Sequence, residues 1–304
     1  MIKAIMDIDT GIDDAIALMI ALQSPEIEIV GITTVSGNVS ARIAALNTLG
    51  ILNLMDKQLQ IPVMQGEARP LSKERVAYAH DVHGKRGLGN INLECNQALL
   101  KKGKVSQFLS GILANYRKKE VSLVATGPLT NIAKAIIEDP TIIDYLSRIC
   151  IMGGAYRLAS KISGNITKYA EFNFYCDPKA AQIVMRSRQP RLDIVGLDAT
   201  DRHLTVDNEF IARLDKQKSK AAKIAKSLLQ YPLAKFGRFT LPDVFAVGML
   251  ERLRLFEFKR GKVIIVQDRE LRGHSKFMEQ KNGNAFVVAR VDENAFIDYV
   301  FSRL

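Results

Sequence analysis

Four aspartates fall within eight positions near the start of the chain. The stretch DIDTGIDD contains Asp7, Asp9, Asp13 and Asp14, and mostly apolar residues flank it on both sides. Carboxylates this close repel one another unless a cation lies among them or some of them bind protons. Favourable charge at a helix amino terminus explains one or two such acids, but not all of them. The stretch therefore predicts a cation-binding site.

The residue types in the chain favour a hard cation bound by oxygen atoms. Ca²⁺ takes about six to eight oxygen ligands, of which the acidic stretch can supply about two or three. A zinc centre is disfavoured, because the chain has only four histidines and only His80 and His83 are neighbours. The stretch also lacks the alternating acids and the terminal glutamate of an EF-hand.

Short runs rich in β-branched residues recur along the chain, and most of them lead through a polar or glycine turn into a helical pattern. Such alternation predicts an α/β fold with an open, mostly parallel sheet flanked by helices. No repeat or linker marks a boundary, so residues 1–304 are predicted to form a single domain. The predicted strands are residues 2–6, 27–35, 121–125, 149–152, 192–195, 263–267 and 285–291, and the predicted closing helix is 293–304.

Polar and glycine residues follow each of the first five predicted strands. In open parallel sheets, ligands bind just beyond the carboxyl ends of the strands. The segments found there are Asp7 with Asp9, SGN (36–38), TGPLTN (126–131), GGAY (153–156) and GLDAT (196–200). The sequence therefore places the functional site at this edge of the sheet.

Two enzyme families carry a comparable acidic motif after their first strand. Phosphatases of the haloacid dehalogenase type have DxDx[TV], but Gly11 stands where that pattern has Thr or Val. Nucleoside hydrolases have DxDxGxDDAxA, and residues 7–17 match it at every specified position. The chain also resembles the nucleoside hydrolases in PEIEIVGITTVSGN (25–38), HGKRGLG (83–89), ATGPLTNIA (125–133), IMGGAY (151–156), GNITKYAEFNFYCDPKAA (164–181) and VGLDAT (195–200). The resemblance spans essentially the whole chain, and the phosphatase remains the alternative.

The resemblance implies a Rossmann-like nucleoside hydrolase fold and a Ca²⁺-dependent hydrolysis of ribonucleosides to ribose and free base. In that family Ca²⁺ binds the ribose 2′- and 3′-hydroxyls and the attacking water. A bound divalent cation lowers the pKa of its water, so a nearby carboxylate can act as the base near neutral pH. Asp9 would be this base, and the implied metal ligands are Asp9, Asp14, the Thr126 carbonyl and Asp243.

The resemblance also implies a set of substrate contacts. Departure of the base leaves an oxocarbenium-like sugar, so the enzyme needs oxygen atoms around the ribose ring. Asp13 would hold a ribose hydroxyl, and Asp9, Asp13 and Asn173 are the predicted catalytic residues. The predicted substrate-binding residues are Asp13, Asn38, His83, Met152, Asn165, Glu171, Asn173 and Tyr231.

The element near the last predicted metal ligand departs from the family pattern. Pro242 stands where the family has a histidine thought to protonate the leaving base, and a positioned general acid contributes about 10²- to 10⁴-fold in rate. His83 is another candidate acid, and Tyr231, Phe236 and Phe239 are candidate walls for the base. A ribose- or nucleoside-binding protein without turnover is therefore a second hypothesis.

The remaining features concern partners and location. The net charge is +11, but the basic residues are scattered, so no nucleic-acid partner is expected. Lys85 and Arg86 lie in a motif where relatives often carry acid, which leaves a phosphorylated riboside open as substrate. No leader or long apolar span is recognised, so a cytoplasmic protein without membrane contact is expected. The resemblance implies a homo-oligomer, a dimer or a tetramer.

Overall fold

The computed structural model describes residues 1–74, 78–89, 91–158, 164–187 and 190–304. Two antiparallel strands, β7 and β8, form a small sheet, and the other nine strands form one large sheet. The strands are β1 (Ile2–Ile8), β2 (Ile27–Thr34), β3 (Val63–Gln65), β4 (Val121–Ala125), β5 (Leu146–Met152), β6 (Arg191–Val195), β7 (Thr205–Val206), β8 (Phe239–Thr240), β9 (Phe256–Ile265), β10 (Ser275–Glu279) and β11 (Ala285–Val291).

Helices connect most of these strands and cover both faces of the large sheet. They are α1 (Ile12–Gln23), α2 (Ala41–Leu54), α3 (His80–His83), α4 (Val105–Leu113), α5 (Thr130–Glu138), α6 (Ile142–Tyr145), α7 (Phe172–Cys176), α8 (Pro178–Arg186), α9 (Leu197–His203), α10 (Asn208–Leu214), α11 (Lys220–Phe236), α12 (Pro242–Glu251) and α13 (Glu293–Phe301). Among the described residues, no helix is long and apolar enough to cross a membrane.

The large sheet is mostly parallel. Its strand order is β10-β9-β11-β6-β5-β4-β1-β2-β3. The seven strands from β11 to β3 are all parallel to their neighbours, whereas β9 runs antiparallel to β11 and β10 antiparallel to β9. The predicted α/β class with an open, mostly parallel sheet flanked by helices is confirmed.

The central strands are apolar on both faces, as parallel strands covered by two helix layers must be. In β1, Met6 and Ile8 pack into a core shared with α1 and α12, whereas Ile5 packs into a second core with α4 and α5. Asp7 and Thr33, which are register partners on β1 and β2, are polar exceptions near the carboxyl ends of these strands. The buried polar residues of these two strands therefore lie near the carboxyl edge of the sheet.

Helix α12 brings a distant part of the chain against α1. Every residue of α12 from Asp243 to Glu251 is buried, and the Phe245 ring stacks on Phe296 with centroids 4.3 Å apart. Pro242 occupies the first turn, where its missing N–H costs nothing because that group has no partner within the helix. The buried packing of α12 therefore fixes the position of Asp243 at its amino end.

The sequence located most strands, and it missed those that carry weak apolar signals. Strand β9 begins at Phe256, seven residues before the predicted start. The prediction missed these residues because the charged side chains of this near-edge strand look like a basic surface segment in the sequence. The short strands β3, β7 and β8 and the edge strand β10 were not predicted. Helix α13 ends at Phe301 instead of residue 304.

We expect Phe245→Ala to destabilise the protein by about 3–5 kcal/mol, because it removes a fully buried ring and leaves a cavity between α12 and α13. Phe236→Ala is the matched control, since Phe236 is 48% exposed and its loss changes stability by about 0.5 kcal/mol or less. The measurement is the free energy of unfolding in urea. Equal effects of the two variants would contradict the packing role of Phe245.

Candidate active site

Three carboxylates from two helices converge at the carboxyl edge of the sheet. Asp13 and Asp14 lie in the first turn of α1, and Asp243 lies in the first turn of α12. One carboxylate oxygen from each of them lies within 4.8 Å of the other two, and all three residues are buried. Residues more than two hundred positions apart in sequence are therefore placed so that together they could hold one metal ion.

Asp14 is held in place by hydrogen bonds to both of its oxygens. Oδ1 accepts a bond of 2.6 Å from the Thr126 hydroxyl. Oδ2 accepts bonds from the Gly11 amide at 2.9 Å and from Asn38 Nδ2 at 3.1 Å. The Thr126 carbonyl in turn accepts a bond of 2.7 Å from Asn173 Nδ2. Loops from three strand ends thus fix one carboxylate.

Asp9 lies next to the three converging acids but outside their group. Its Oδ2 accepts a bond of 2.6 Å from the Asn38 amide, whereas its buried Oδ1 has no hydrogen-bond partner among the described residues. Gly37 passes so close that a Cβ there would lie 2.0 Å from Asp9 Oδ2, so only glycine fits. The predicted roles of Asp9 as metal ligand and base stay predictions.

Burial and mutual repulsion make these acids resist ionisation. Burial, followed by the charge of neighbouring aspartates, raises the pKa of Asp9, Asp14 and Asp243 above the ordinary value. Burial raises the pKa of Asp13 to about 6, and its buried Oδ1 lacks a hydrogen-bond partner among the described residues. Buried, repelling carboxylates with unsatisfied oxygens are the donor set that a hard divalent cation compensates.

A cavity of about 320 Å³ opens above these acids. Nine of the predicted site residues line it: Asp13, Asn38, His83, Thr126, Met152, Asn165, Glu171, Asn173 and Asp243. Asp9 and Asp14 are fully buried and do not line it, and Tyr231 lies elsewhere. The structure therefore brings together most of the residues that the sequence proposed, and these placements leave their individual roles as predictions.

One wall of the cavity is built from amides and a carboxylate around α7. Glu171 Oε1 accepts a bond from the Asn173 amide at 2.7 Å, and Oε2 accepts one from Gly154 at 2.9 Å. Burial raises the pKa of Glu171 to about 7. Asn165 Oδ1 accepts a bond of 2.9 Å from the Phe172 amide. This wall is rigid, because the backbone fixes the orientation of its polar groups.

His83 faces the cavity as a neutral donor. Its Nδ1 accepts a bond of 3.1 Å from the Ile12 amide, so in the neutral ring the proton lies on Nε2. Burial lowers the pKa of His83 to about 4, although Asp13 Oδ1 lies 3.7 Å from Nδ1. At neutral pH the ring can therefore donate a hydrogen bond, but it holds no second proton to give.

The rest of the described lining is mostly apolar. It includes Tyr78, Val82, Ile166, Phe239 and Pro242, and the first three are among the exposed large hydrophobic residues. Of the aromatic residues proposed from sequence, only Phe239 lies here. Tyr78 was missed, and its only signal was its position five residues before His83.

Apart from Phe239, the aromatic and basic residues that the sequence suggested for the site lie outside this cavity. Tyr231 lines a separate depression with Ser227 and Gln230, and Phe236 is 48% exposed. Lys85 and Arg86 are exposed and do not line the cavity, so nothing in its described walls offers a cation to a phosphate. The role of Tyr231 in substrate binding stays a prediction.

Asp7 is turned away from the cavity. Its Oδ1 accepts bonds from the Thr33 hydroxyl at 2.6 Å and from Asn131 Nδ2 at 2.7 Å. Burial raises its pKa to about 7. Asp7 thus joins β1, β2 and α5 inside the fold, and it does not present a nucleophile to the site.

Comparison with known proteins decides between the two enzyme families. The family model described as "Inosine-uridine preferring nucleoside hydrolase" matches residues 4–298. The chain belongs to this family. The membership confirms the resemblance drawn from sequence and makes the protein an N-glycosyl hydrolase of ribonucleosides. The phosphatase alternative is wrong, since the match spans nearly the whole chain and Asp7 is not available for attack.

Relatives and solved structures support the membership over full length. The chain is 33% identical over 311 residues to "Pyrimidine-specific ribonucleoside hydrolase RihA" of Salmonella typhimurium, covering 99% of this chain and 97% of that protein. It is 31% identical over 320 residues to "Uridine nucleosidase 1" of Arabidopsis thaliana, covering 99% and 93%. The structure titled "Inosine-Guanosine Nucleoside Hydrolase (IG-NH)" aligns with a TM-score of 0.89 at 27% identity, covering 99% and 98%.

We expect the metal-free hydrolase to lose stability as the pH rises from about 5 to about 8. The folded-state pKa of Asp13 lies above its ordinary value, so the folded protein binds more protons in this window and ionisation destabilises it. Asp7 and Glu171, each raised to about 7, act in the same direction. The measurement is the thermal unfolding midpoint in chelator across this pH range, with and without saturating Ca²⁺.

Asp13→Asn isolates the contribution of this cluster. In chelator at about pH 8 the variant should be more stable than the natural protein by about 1–3 kcal/mol, because it removes a buried repelling charge. Asp56→Asn is the charge-matched control, since that side chain is 83% exposed. A destabilised Asp13→Asn variant under these conditions would show that the cluster is not repulsive.

Proposed function

We propose that this hydrolase cleaves the N-glycosidic bond of ribonucleosides with one Ca²⁺ in the acidic cluster and Asp9 as the general base. The observation that carries the proposal is the convergence of Asp13, Asp14 and Asp243 beside a cavity of about 320 Å³, which Asp13 and Asp243 line. The unpartnered oxygens of Asp9 and Asp13 fit the demand of a hard cation for several oxygen ligands.

The proposed ligands come from three parts of the fold. Asp9 and Asp14 contribute from the end of β1 and the start of α1, the Thr126 carbonyl from the end of β4, and Asp243 from the start of α12. When bound, the cation supplies positive charge that lowers the pKa of the attacking water and holds the ribose hydroxyls. Asp13 lies in the same group and is proposed to bind a ribose hydroxyl.

Asp9 is suited to accept a proton from the attacking water. Its Oδ2 is fixed by the Asn38 amide at 2.6 Å, so the carboxylate cannot rotate freely. Its Oδ1 is unpartnered among the described residues and is the atom proposed to take the proton. Burial raises the pKa of Asp9 in the metal-free protein, and a bound cation would favour the ionised carboxylate that can accept the proton.

The ribose is proposed to lie against the polar wall, over Met152. Asn38, Asn165, Glu171 and Asn173 present oxygen and amide groups there, and their backbone and side-chain hydrogen bonds fix them before substrate arrives. Fixed dipoles around the sugar stabilise the positive charge that develops as the bond to the base breaks.

The base is proposed to leave without a charged acid from the protein. Pro242 lines the cavity, but its side chain has no acidic proton to donate. His83 is neutral, and its Nε2 proton is available for hydrogen bonding. His83 would therefore stabilise the departing base by donating a hydrogen bond, and the base would take its proton from solvent. Phe239 and Tyr78 would cover the base. The cytoplasmic location and the homo-oligomeric state stay predictions.

A second candidate function is nucleoside or ribose binding with little turnover. Pro242 favours it, because the residue replaces a group that contributes about 10²- to 10⁴-fold in rate. Ca²⁺-dependent binding of ribose without release of ribose from any nucleoside would support this function over hydrolysis.

We expect release of reducing ribose from a panel of purine and pyrimidine nucleosides, and loss of that release in chelator. Asp9→Asn should lower kcat by about 10²- to 10⁴-fold, because the water loses its base. Asp298→Asn is the control, since its side chain is 73% exposed and lies on α13. Normal turnover in the Asp9→Asn variant would overturn the assignment of the base.

The role of His83 can be separated by the quality of the leaving group. We expect His83→Ala to lower kcat/KM for natural nucleosides by about tenfold or more, because a hydrogen bond to the departing base is lost. A riboside with a p-nitrophenolate leaving group needs no such help, so its kcat/KM should change by about threefold or less. Equal losses on both substrates would show that His83 acts on the ribose or the metal site.

A further inference from the structure

A second polar cavity opens at the opposite edge of the large sheet. It lies at the amino ends of β5, β6 and β11, whereas the active site lies at the carboxyl ends. Its volume is about 400 Å³. Of the described residues that line it, Lys119, Arg191 and Arg260 are cationic and none is acidic. The cavity therefore concentrates positive charge far from the acidic cluster.

Two of these three cations have no charged partner within the described part of the chain. Arg191 Nε donates a bond of 2.6 Å to Asp193 Oδ1, so part of its charge is compensated. Lys119 and Arg260 form no ion pair with any described residue. Lys119 and Arg260 are exposed and Arg191 is partly buried, so solvent weakens their mutual repulsion. An anion bound between them would be attracted by all three positive charges.

The guanidinium groups are held before any ligand arrives. Arg191 Cζ lies 3.9 Å from the centroid of the Phe286 ring, and Arg260 Cζ lies 5.2 Å from it. Arg260 Nε also donates a bond of 2.7 Å to the Gly283 carbonyl. Contact with a ring uses the face of a guanidinium and leaves N–H groups at its edge for a bidentate anion. Binding therefore costs less side-chain entropy than it would for free arginines.

A tight backbone approach completes the cavity. A Cβ on Gly283 would lie 1.8 Å from the Gly261 carbonyl oxygen, so this turn accepts only glycine. The turn places Asn282 and Asn284 in the wall, and Ser147 lies there as well. The Ser147 hydroxyl already donates to the Val121 carbonyl and Asn284 Nδ2 to the Ser187 carbonyl, so the Asn282 amide is the neutral group best placed to add to the three cations. Three cations with such a donor match the several oxygens of a phosphate group better than they match an uncharged ring.

We propose that this cavity is a binding site for a small anion that carries a phosphate group. The phosphate would lie between Lys119 and the two guanidinium groups, with the Asn282 amide completing its hydrogen bonds. The site shares no lining residue with the active-site cavity, so its occupation does not depend on the proposed hydrolysis.

Calorimetric titration of the natural protein and of two matched double variants tests the proposal. One variant combines Lys119→Ala with Arg260→Ala, and the other combines Lys118→Ala with Lys262→Ala. Both remove two positive charges, but Lys118 and Lys262 lie outside the cavity lining. The probes are inorganic phosphate, ribose 5-phosphate and uncharged ribose, in metal-free buffer. We expect the first variant to weaken phosphate binding by about tenfold or more and the second by about twofold or less.

The probes also identify the source of the phosphate. Equal affinity for inorganic phosphate and ribose 5-phosphate identifies free phosphate, whereas tighter binding of ribose 5-phosphate identifies a phosphorylated metabolite. Equal weakening by the two double variants would falsify the proposal, as would the absence of phosphate binding to the natural protein. If the first double variant fails to fold, Arg260→Gln alone should still weaken binding. Ribose release from nucleosides should be unchanged in every variant, which separates this site from the active site.

Discussion

Repulsion among buried carboxylates is the constraint on which the active site depends. One carboxylate oxygen each of Asp13, Asp14 and Asp243 lies within 4.8 Å of the other two, all three side chains are buried, and Asp9 lies beside them. Such an arrangement is unfavourable on its own, because burial and neighbouring charge both oppose ionisation. A bound cation relieves this repulsion, so cation binding should stabilise the folded protein.

The rest of the fold supplies the rigidity that keeps these acids together. Helices α1 and α12 are buried along almost their whole length, and their amino ends point to the same edge of the sheet. Positive charge at a helix amino end favours carboxylates, which partly offsets their repulsion. The loops after β2 and β4 then fix Asp9 and Asp14 through Asn38 and Thr126.

The two walls of the cavity differ in the way they can recognise a nucleoside. The wall around Glu171 and Asn173 is polar and fixed by backbone amides, which suits the hydroxyls of a sugar. The wall with Phe239 and Tyr78 is mostly apolar and offers few hydrogen-bonding groups to a base.

The amino-acid sequence by itself determined the fold class, the family and half of the described residues that line the cavity. It could do so because the strands are continuous apolar runs and the polar motifs follow each strand end in chain order. Short or charged strands such as β3 and β10 escaped, because their burial comes from neighbours and not from their own pattern. Asp13 was assigned to the ribose, and its oxygen joined those of Asp14 and Asp243 only in three dimensions.

Only the tertiary structure decided which side chains share a space. Tyr231 and Phe239 are both aromatic residues shortly before Asp243. Tyr231 lies within α11 and lines a separate depression, whereas Phe239 lies after the turn that ends α11 and lines the active-site cavity. The proton on His83 was fixed by the amide of Ile12, a contact between residues 71 positions apart. The cationic cavity likewise joins Lys119 to Arg260 across the sheet. Such juxtapositions depend on strand order and helix packing, which no local pattern of residues encodes.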